Sequence, residues 1–197
     1  MTSGVCHRLG VDMGEGSFGP RNVGLGAHYE DLDFLHLNVR ILKAAGGDWM
    51  DPPGLHRIFD AEVEHNFTSE MLKLTKTRYQ KAIWGIKDPR MSLLLPLYED
   101  VLPNIKVIIC YRKFSEIADS LLRRNGFSVG FSYKLAMQYY KEIIRNVRPE
   151  TPVYRSDYDS MCDDPAGSIK KLVSFLGVRP SKDRFLEAVN YPCRRTH

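Results

Sequence analysis

Three cations stand where two short apolar runs of this chain end. Trp84-Gly-Ile-Lys-Asp-Pro-Arg90 closes the first run with Lys87 and Arg90, and Ile105-Lys-Val-Ile-Ile-Cys-Tyr111 delivers Arg112 at the end of the second. Helical pattern follows each run, and Ser120 lies eight residues beyond Arg112, in the second turn of the helix expected there. Apolar strand, charged edge and helix, repeated, is the pattern of a parallel sheet whose carboxyl edge binds ligands. A guanidinium at such an edge and a hydroxyl from the next helix can grip one phosphate from two sides. Lys87, Arg90 and Arg112 converging there imply an anionic ligand, most simply one carrying phosphate or sulfate. Pro89 holds Asp88 out of helical geometry, so the Lys-Asp-Pro-Arg turn is stiff and aims Lys87. Each piece also has a plain structural account. Asp88 suits a helix cap between solvated cations, and an arginine followed by a helical serine arises often by chance.

The elements that must position these residues follow from periodicity. Val5 to Val11 has the pattern of the end of an amphipathic helix. Residues 14–29, with Gly14, Gly16, Gly19, Gly24 and Gly26, form a long loop whose Gly-x-Gly pairs neither follow a strand nor open a helix, which rejects a dinucleotide fingerprint. Asp31 to Ala45 carries Leu32, Leu35, Val39 and Leu42 at helical spacing, with Gly46-Gly47 as the stop. A turn at Pro52-Pro53 leads into a helical region through about Lys81. Ala82 to Ile86 then predicts a short strand, and Ser92 to Val101 a helix interrupted at Pro96. Ile105 to Tyr111 is the best strand, a near-continuous apolar run of the kind buried on both faces. Ser115 is placed to cap the next helix and Gly126 to end it; Ser132 is placed to cap another through about Val147. Pro152 to Arg155 predicts a short strand, and Asp164-Pro165 opens a last clear helix that Gly177 closes.

With 197 residues, 43% of them hydrophobic, the chain is expected to form one globular domain. The net charge of +4 is mild and suits a local anion site rather than a nucleic-acid surface, which needs a concentrated basic stripe. Lys170-Lys171 and Arg194-Arg195 are pairs, not runs. Cys6, Cys110, Cys162 and Cys193 form no Cys-x-x-Cys unit, and no His-x-x-x-His pairing occurs, so no metal is expected. Cys110 inside its apolar run is expected to be a buried thiol. No apolar run reaches the length of a membrane span and no signal peptide pattern opens the chain, so the expected setting is cytoplasmic, with all four thiols free. Asn66-Phe-Thr68 matches a glycosylation sequon and is read as a helix cap instead.

In order along nearly the whole chain, these pieces resemble the sulfotransferases that use 3′-phosphoadenosine 5′-phosphosulfate, especially bacterial carbohydrate- and small-molecule-type members. His28-Tyr-Glu-Asp-Leu-Asp-Phe34 with Asn38 is similar to that family's Gly-aromatic-Glu-Asp helix start, and Trp84-Gly-Ile-Lys-Asp-Pro-Arg90 to its Trp-Gly-x-Lys-Asp-Pro-Arg turn. Arg112 to Ser120 has the spacing of its 3′-phosphate grip. Tyr158-Asp-Ser-Met-Cys-Asp-Asp-Pro165 resembles its Tyr-Glu-Asp-Leu-x-x-Asp-Pro element, and Phe175-Leu-Gly177 the helix end that follows. The resemblance implies an α/β fold of the P-loop NTPase-like kind, a mostly parallel sheet flanked by helices. It implies that Arg112 and Ser120 hold the donor's 3′-phosphate, that Tyr158 lies near the adenine, and that Arg194 or Arg195 reaches the same phosphate. Lys87 would meet the transferring sulfuryl group, where charge builds on the bridging oxygen as the sulfur–oxygen bond breaks. The acceptor, a small-molecule hydroxyl compound, needs a general base opposite the leaving group. Glu30 is the choice for that role, with Glu15 and His28 as alternatives; simple helix capping also accounts for Glu30-Asp31.

One departure from the family is plain in the sequence. Members begin with a strand and an Arg-Ser-Gly-Thr-Ser/Thr loop that holds the 5′-phosphosulfate, and nothing here matches it. Met1-Thr-Ser-Gly-Val-Cys-His-Arg-Leu-Gly-Val11 aligns with the helix after that loop, so the domain is expected to be truncated at its N-terminus. The alternative function is a catalytically inactive relative that binds nucleotide through the 3′-phosphate half-site alone. A P-loop kinase is disfavoured, because no Gly-Lys-Ser/Thr occurs.

Overall fold

The computed structural model describes residues 1–14, 29–78 and 82–191; Glu15, His28, Cys193, Arg194 and Arg195 lie outside them. In chain order the elements are α1 (Thr2–Arg8), α2 (Leu32–Ala44), α3 (Leu55–His65), α4 (Phe67–Arg78), α5 (Met91–Val101), β1 (Val107–Tyr111), α6 (Phe114–Asn125), α7 (Val129–Asn146), β2 (Val153–Asp157), α8 (Tyr158–Asp163), α9 (Pro165–Leu176) and α10 (Lys182–Val189). The class is mixed α/β and mostly helical, around a two-stranded parallel sheet.

Four of the expected starts and stops hold for local reasons. Asp31 caps α2 by accepting from the backbone amides of Asp33 and Phe34. Asp164 caps α9 with Pro165 in its first turn, and Gly177, at φ +76, ends it in the left-handed conformation that glycine adopts without strain. Gly126, at φ +70, ends α6 in the same way.

Other expectations are corrected. Ser115 caps nothing: α6 starts one residue earlier, after Lys113, with no side-chain cap. The helix expected from Ser132 starts after Ser128, whose hydroxyl accepts from the Phe131 amide, while Ser132 is buried within α7. The long helical region before Lys81 is split at Asn66, a left-handed residue (φ 52) that ends α3 and takes the Ser69 hydroxyl on its side chain. The strand expected over 82–86 shrinks to one parallel bridge between Trp84 and Asp12.

Pro96 does not interrupt α5. A proline there leaves the carbonyl of Ser92 without its helical donor, and the side-chain amide of Asn146 on α7 donates to that carbonyl at 2.9 Å. The helix therefore runs on with its polar groups satisfied.

β1 pairs in parallel with β2, Val107 against Val153 through Tyr111 against Asp157. It is not buried on both faces as expected. Ile109 is buried against Leu95 and Ile143, Ile108 packs only partly on the other side, and Cys110 is exposed. Two strands make too narrow a sheet to sink an apolar run completely.

Cys6 is a buried free thiol and Cys110 an exposed one, whereas Cys162 is disulfide-bonded. The expectation of four free thiols is overturned there, and with it goes the thiol argument for a reducing compartment. No helix among the described residues is long and apolar enough to cross a membrane.

Apolar side chains gather in three clusters. One joins α2, α3, α4 and α5 through Phe34, Leu37, Ile41, Ile58, Met71, Leu94 and Tyr98. A second joins α1, α9 and α10 with Val11, Met13 and Tyr29. The third, Leu95, Ile109 and Ile143, lies where α5, β1 and α7 meet.

Candidate functional site

The register of the sheet decides what meets at its carboxyl edge. Tyr111 pairs with Asp157, so the next residue on each strand, Arg112 and Tyr158, must be neighbours. The Arg112 guanidinium lies 4.5 Å over the Tyr158 ring, a cation–π contact that fixes one face of the fork. Its Nε donates to Glu116 at 2.6 Å, the i, i+4 partner in the first turn of α6. The backbone is held as well: Tyr140 of α7 accepts from the Arg112 amide at 3.3 Å and donates to the Cys110 carbonyl at 2.6 Å. Burial pushes the Tyr140 hydroxyl above its ordinary range, so it stays a donor. With Nε and one face engaged, the two terminal nitrogens of Arg112 hydrogen-bond to no group among the described residues. They are the part of the fork that suits bidentate binding of an anion. Ser120, half-buried, stands one turn beyond Glu116 on the same face of α6.

Lys87 and Glu30, far apart in sequence, meet at 2.5 Å between Nζ and Oε1. Both are partly shielded, with side chains 33% and 19% exposed, so the pair is not a fully solvated one. Glu30 directly precedes the cap of α2, and Lys87 lies three residues beyond the Trp84 bridge. Trp84 itself stacks on Phe34 of α2 at 6.2 Å and 14°. The turn is thus pinned to the start of α2.

Arg90 is tied within its own turn: its amide and guanidinium both donate to Asp88 Oδ1 at 2.9 Å. Arg112 follows a strand of the sheet, whereas Lys87 follows only the isolated Trp84 bridge. Burial pushes the Met1 amine below its ordinary value, Lys87 and Arg112 push it the same way, and Cys110 opposes them.

Of the residues named from sequence, Lys87 and Glu30 form one pair, and Arg112, Tyr158 and Ser120 gather around a second point. Glu15, His28, Arg194 and Arg195 fall outside the described residues. Sequence reasoning missed Glu116 and Tyr140, and it named Asn38 and Asp88 without seeing that they pair. The i, i+4 spacing of Arg112 and Glu116 was a readable signal; nothing in the sequence marks Tyr140. An open hollow of about 520 Å³ lies elsewhere, between α1 and α10, and its one arginine, Arg8, rests 3.9 Å over the Tyr191 ring.

No family model matches the chain, and neither a curated protein nor a solved structure matches it.

Proposed function

We propose that this protein transfers a sulfuryl group from 3′-phosphoadenosine 5′-phosphosulfate to the hydroxyl of a small molecule, on a fold of the P-loop NTPase-like kind. The observation that carries the reading is the contact of Lys87 with Glu30 at 2.5 Å, and the Arg112 fork held by Tyr158 and Glu116 supports it. In-line transfer needs a base and a cation on opposite sides of the sulfur, so the donor must come between the Glu30 and Lys87 side chains. The acceptor oxygen attacks sulfur and gives its proton to Glu30. The bond from sulfur to the bridging oxygen breaks, and its electron pair stays on the phosphate, where Lys87 stabilises the charge. The products are a sulfate ester and adenosine 3′,5′-bisphosphate. Arg112 and Ser120 would grip the 3′-phosphate, with Tyr158 backing the guanidinium. No metal takes part in this scheme.

Donor binding and transfer are tested separately. Replacing Arg112 by alanine is expected to weaken adenosine 3′,5′-bisphosphate by about 2–3 kcal/mol in calorimetry and adenosine 5′-phosphate much less, because the lost bond is to the 3′ group. Equal losses for both nucleotides would remove Arg112 from that role. Transfer is followed with radiolabelled donor across a panel of sugar and lipid alcohols, comparing wild type with Lys87→Ala. Turnover is expected to drop far more than donor affinity. Nucleotide binding without any transfer would instead establish the inactive binding relative.

A further inference from the structure

Beneath the Lys87–Glu30 contact lies a chain of buried polar groups set among apolar neighbours. Tyr98 of α5 donates its hydroxyl to Asn38 Oδ1 at 2.6 Å, and Asn38 Nδ2 donates to Asp88 Oδ2 at 2.9 Å. Asp88 Oδ1 takes the amide and guanidinium of Arg90, both at 2.9 Å. Asn38 and Tyr98 are fully buried, and the Asp88 side chain is 1% exposed. Phe34, Leu37, Ile41 and Leu42 surround Asn38 on α2, positions where a leucine would pack without needing any partner. A buried amide and carboxylate in such a setting are tolerated only in the one arrangement that satisfies them, so they select a single register of helix against turn.

That register governs the site. Glu30 is the residue before the Asp31 cap and Asn38 lies within α2, while Lys87 and Asp88 are consecutive residues of the turn. Helix and turn therefore touch at two points, Glu30 on Lys87 and Asn38 on Asp88. A slip of α2 by one residue rotates its side chains by about 100°, which would break the Asn38–Asp88 bond and displace the segment that carries Glu30 into the helix. We infer that Asn38, Asp88 and Tyr98 are positioning residues that hold Lys87 against Glu30. Their catalytic meaning rests on the sulfotransferase reading; the geometry itself does not.

Carbodiimide joins a lysine to a carboxylate only where the two touch, so it reads the contact directly. In the full chain, the Lys87–Glu30 crosslink is quantified by peptide mass spectrometry against Lys113–Asp159, a 2.9 Å pair outside the chain of polar groups. Asp88→Asn and Asn38→Leu are expected to lower that ratio by about fivefold or more, since a half-satisfied network loses its register. Tyr98→Phe, which removes one hydroxyl and keeps the packing, is expected to lower it by about twofold and decides the matter if the other variants do not fold. General loosening would lower both crosslinks and leave the ratio unchanged. An unchanged ratio in a folded variant, or no Lys87–Glu30 crosslink in wild type, overturns the inference. Titration with adenosine 3′,5′-bisphosphate on the same samples separates the two ideas. Absence of binding by wild type sinks the sulfotransferase reading and leaves the crosslink result standing, whereas a folded variant with bound nucleotide and an unchanged ratio sinks the positioning role alone.

Discussion

Glu30 and Lys87 hold one another at 2.5 Å, and that contact competes with any anion for the lysine. If a 5′-phosphate must displace Glu30, removing the carboxylate's charge should favour the nucleotide while depriving the proposed transfer of its proposed base. Glu30→Gln is therefore expected to tighten adenosine 3′,5′-bisphosphate by about three- to tenfold and to abolish turnover. Adenosine 3′-phosphate, lacking the 5′ group, should bind the variant and wild type alike; equal tightening of both would place the competition elsewhere. The two free cysteines among the described residues give a second residue-scale expectation. Burial pushes the Cys6 thiol up to about 12, while Cys110 is exposed at the sheet edge. Because the thiolate is the reactive form, iodoacetamide at pH 8 should label Cys110 in the folded protein and reach Cys6 only after unfolding. Labelling of Cys6 at a comparable rate would contradict the packing of α1.

Elements show where the sequence was legible and where it was not. The capped and glycine-stopped helices could be read because cap, proline and glycine act within a few residues of one another, as at Asp164-Pro165 and Gly177. Pro96 misled, because its remedy lies fifty residues downstream: the Asn146 amide serves the Ser92 carbonyl, and no local pattern reveals that. Asn146→Ala should leave that carbonyl unserved and cost about 1–3 kcal/mol in urea unfolding; a change within experimental error would mean that α5 bends to satisfy itself. The second strand of the sheet was legible, but the strand expected over 82–86 was not realised, since alternation and apolar content say nothing of whether a partner exists beyond one bridge. The site followed the same division. Arg112 and Tyr158 meet because two readable strands end in register, whereas the Lys87–Glu30 contact depends on Asn38 and Asp88 pairing across the core. Asp157 links element to site. It caps α8, and the Ser160 amide that it accepts holds its carboxyl below the usual range. A lowered carboxylate pKa means stability present above the ordinary value and lost as pH falls through the lowered one. Asp157→Ala should therefore cost about 1 kcal/mol near neutrality, with the difference from wild type closing in acid. A difference that persists below pH 2 would assign the cost to something other than the cap.

At the scale of the whole molecule, Glu30, Lys87 and Arg112 each sit where the chain passes from one apolar cluster to another. Tyr29 packs in the cluster around α1, α9 and α10, and Phe34 in that of α2 to α5, with Glu30 between them. Ile83 belongs to the first of these and Trp84 and Ile86 to the second, just before Lys87. On β1, Ile108 faces the α1 cluster and Ile109 the small cluster with α5 and α7, and Arg112 follows directly. α5 bridges too, giving Leu94 to one cluster and Leu95 to another. A ligand spanning Lys87 and Arg112 would thus tie all three clusters together instead of bracing one. Binding to the native state alone stabilises it by about 2.7 kcal/mol at a hundred times the dissociation constant. For a chain of this size, each kcal/mol moves the melting temperature by about 2–4 °C, so the shift should be about 5–10 °C. Scanning calorimetry with adenosine 3′,5′-bisphosphate is expected to give one transition that moves as a unit. Two transitions of which only one responds would mean that the clusters unfold independently, and that the edge of the sheet does not join them.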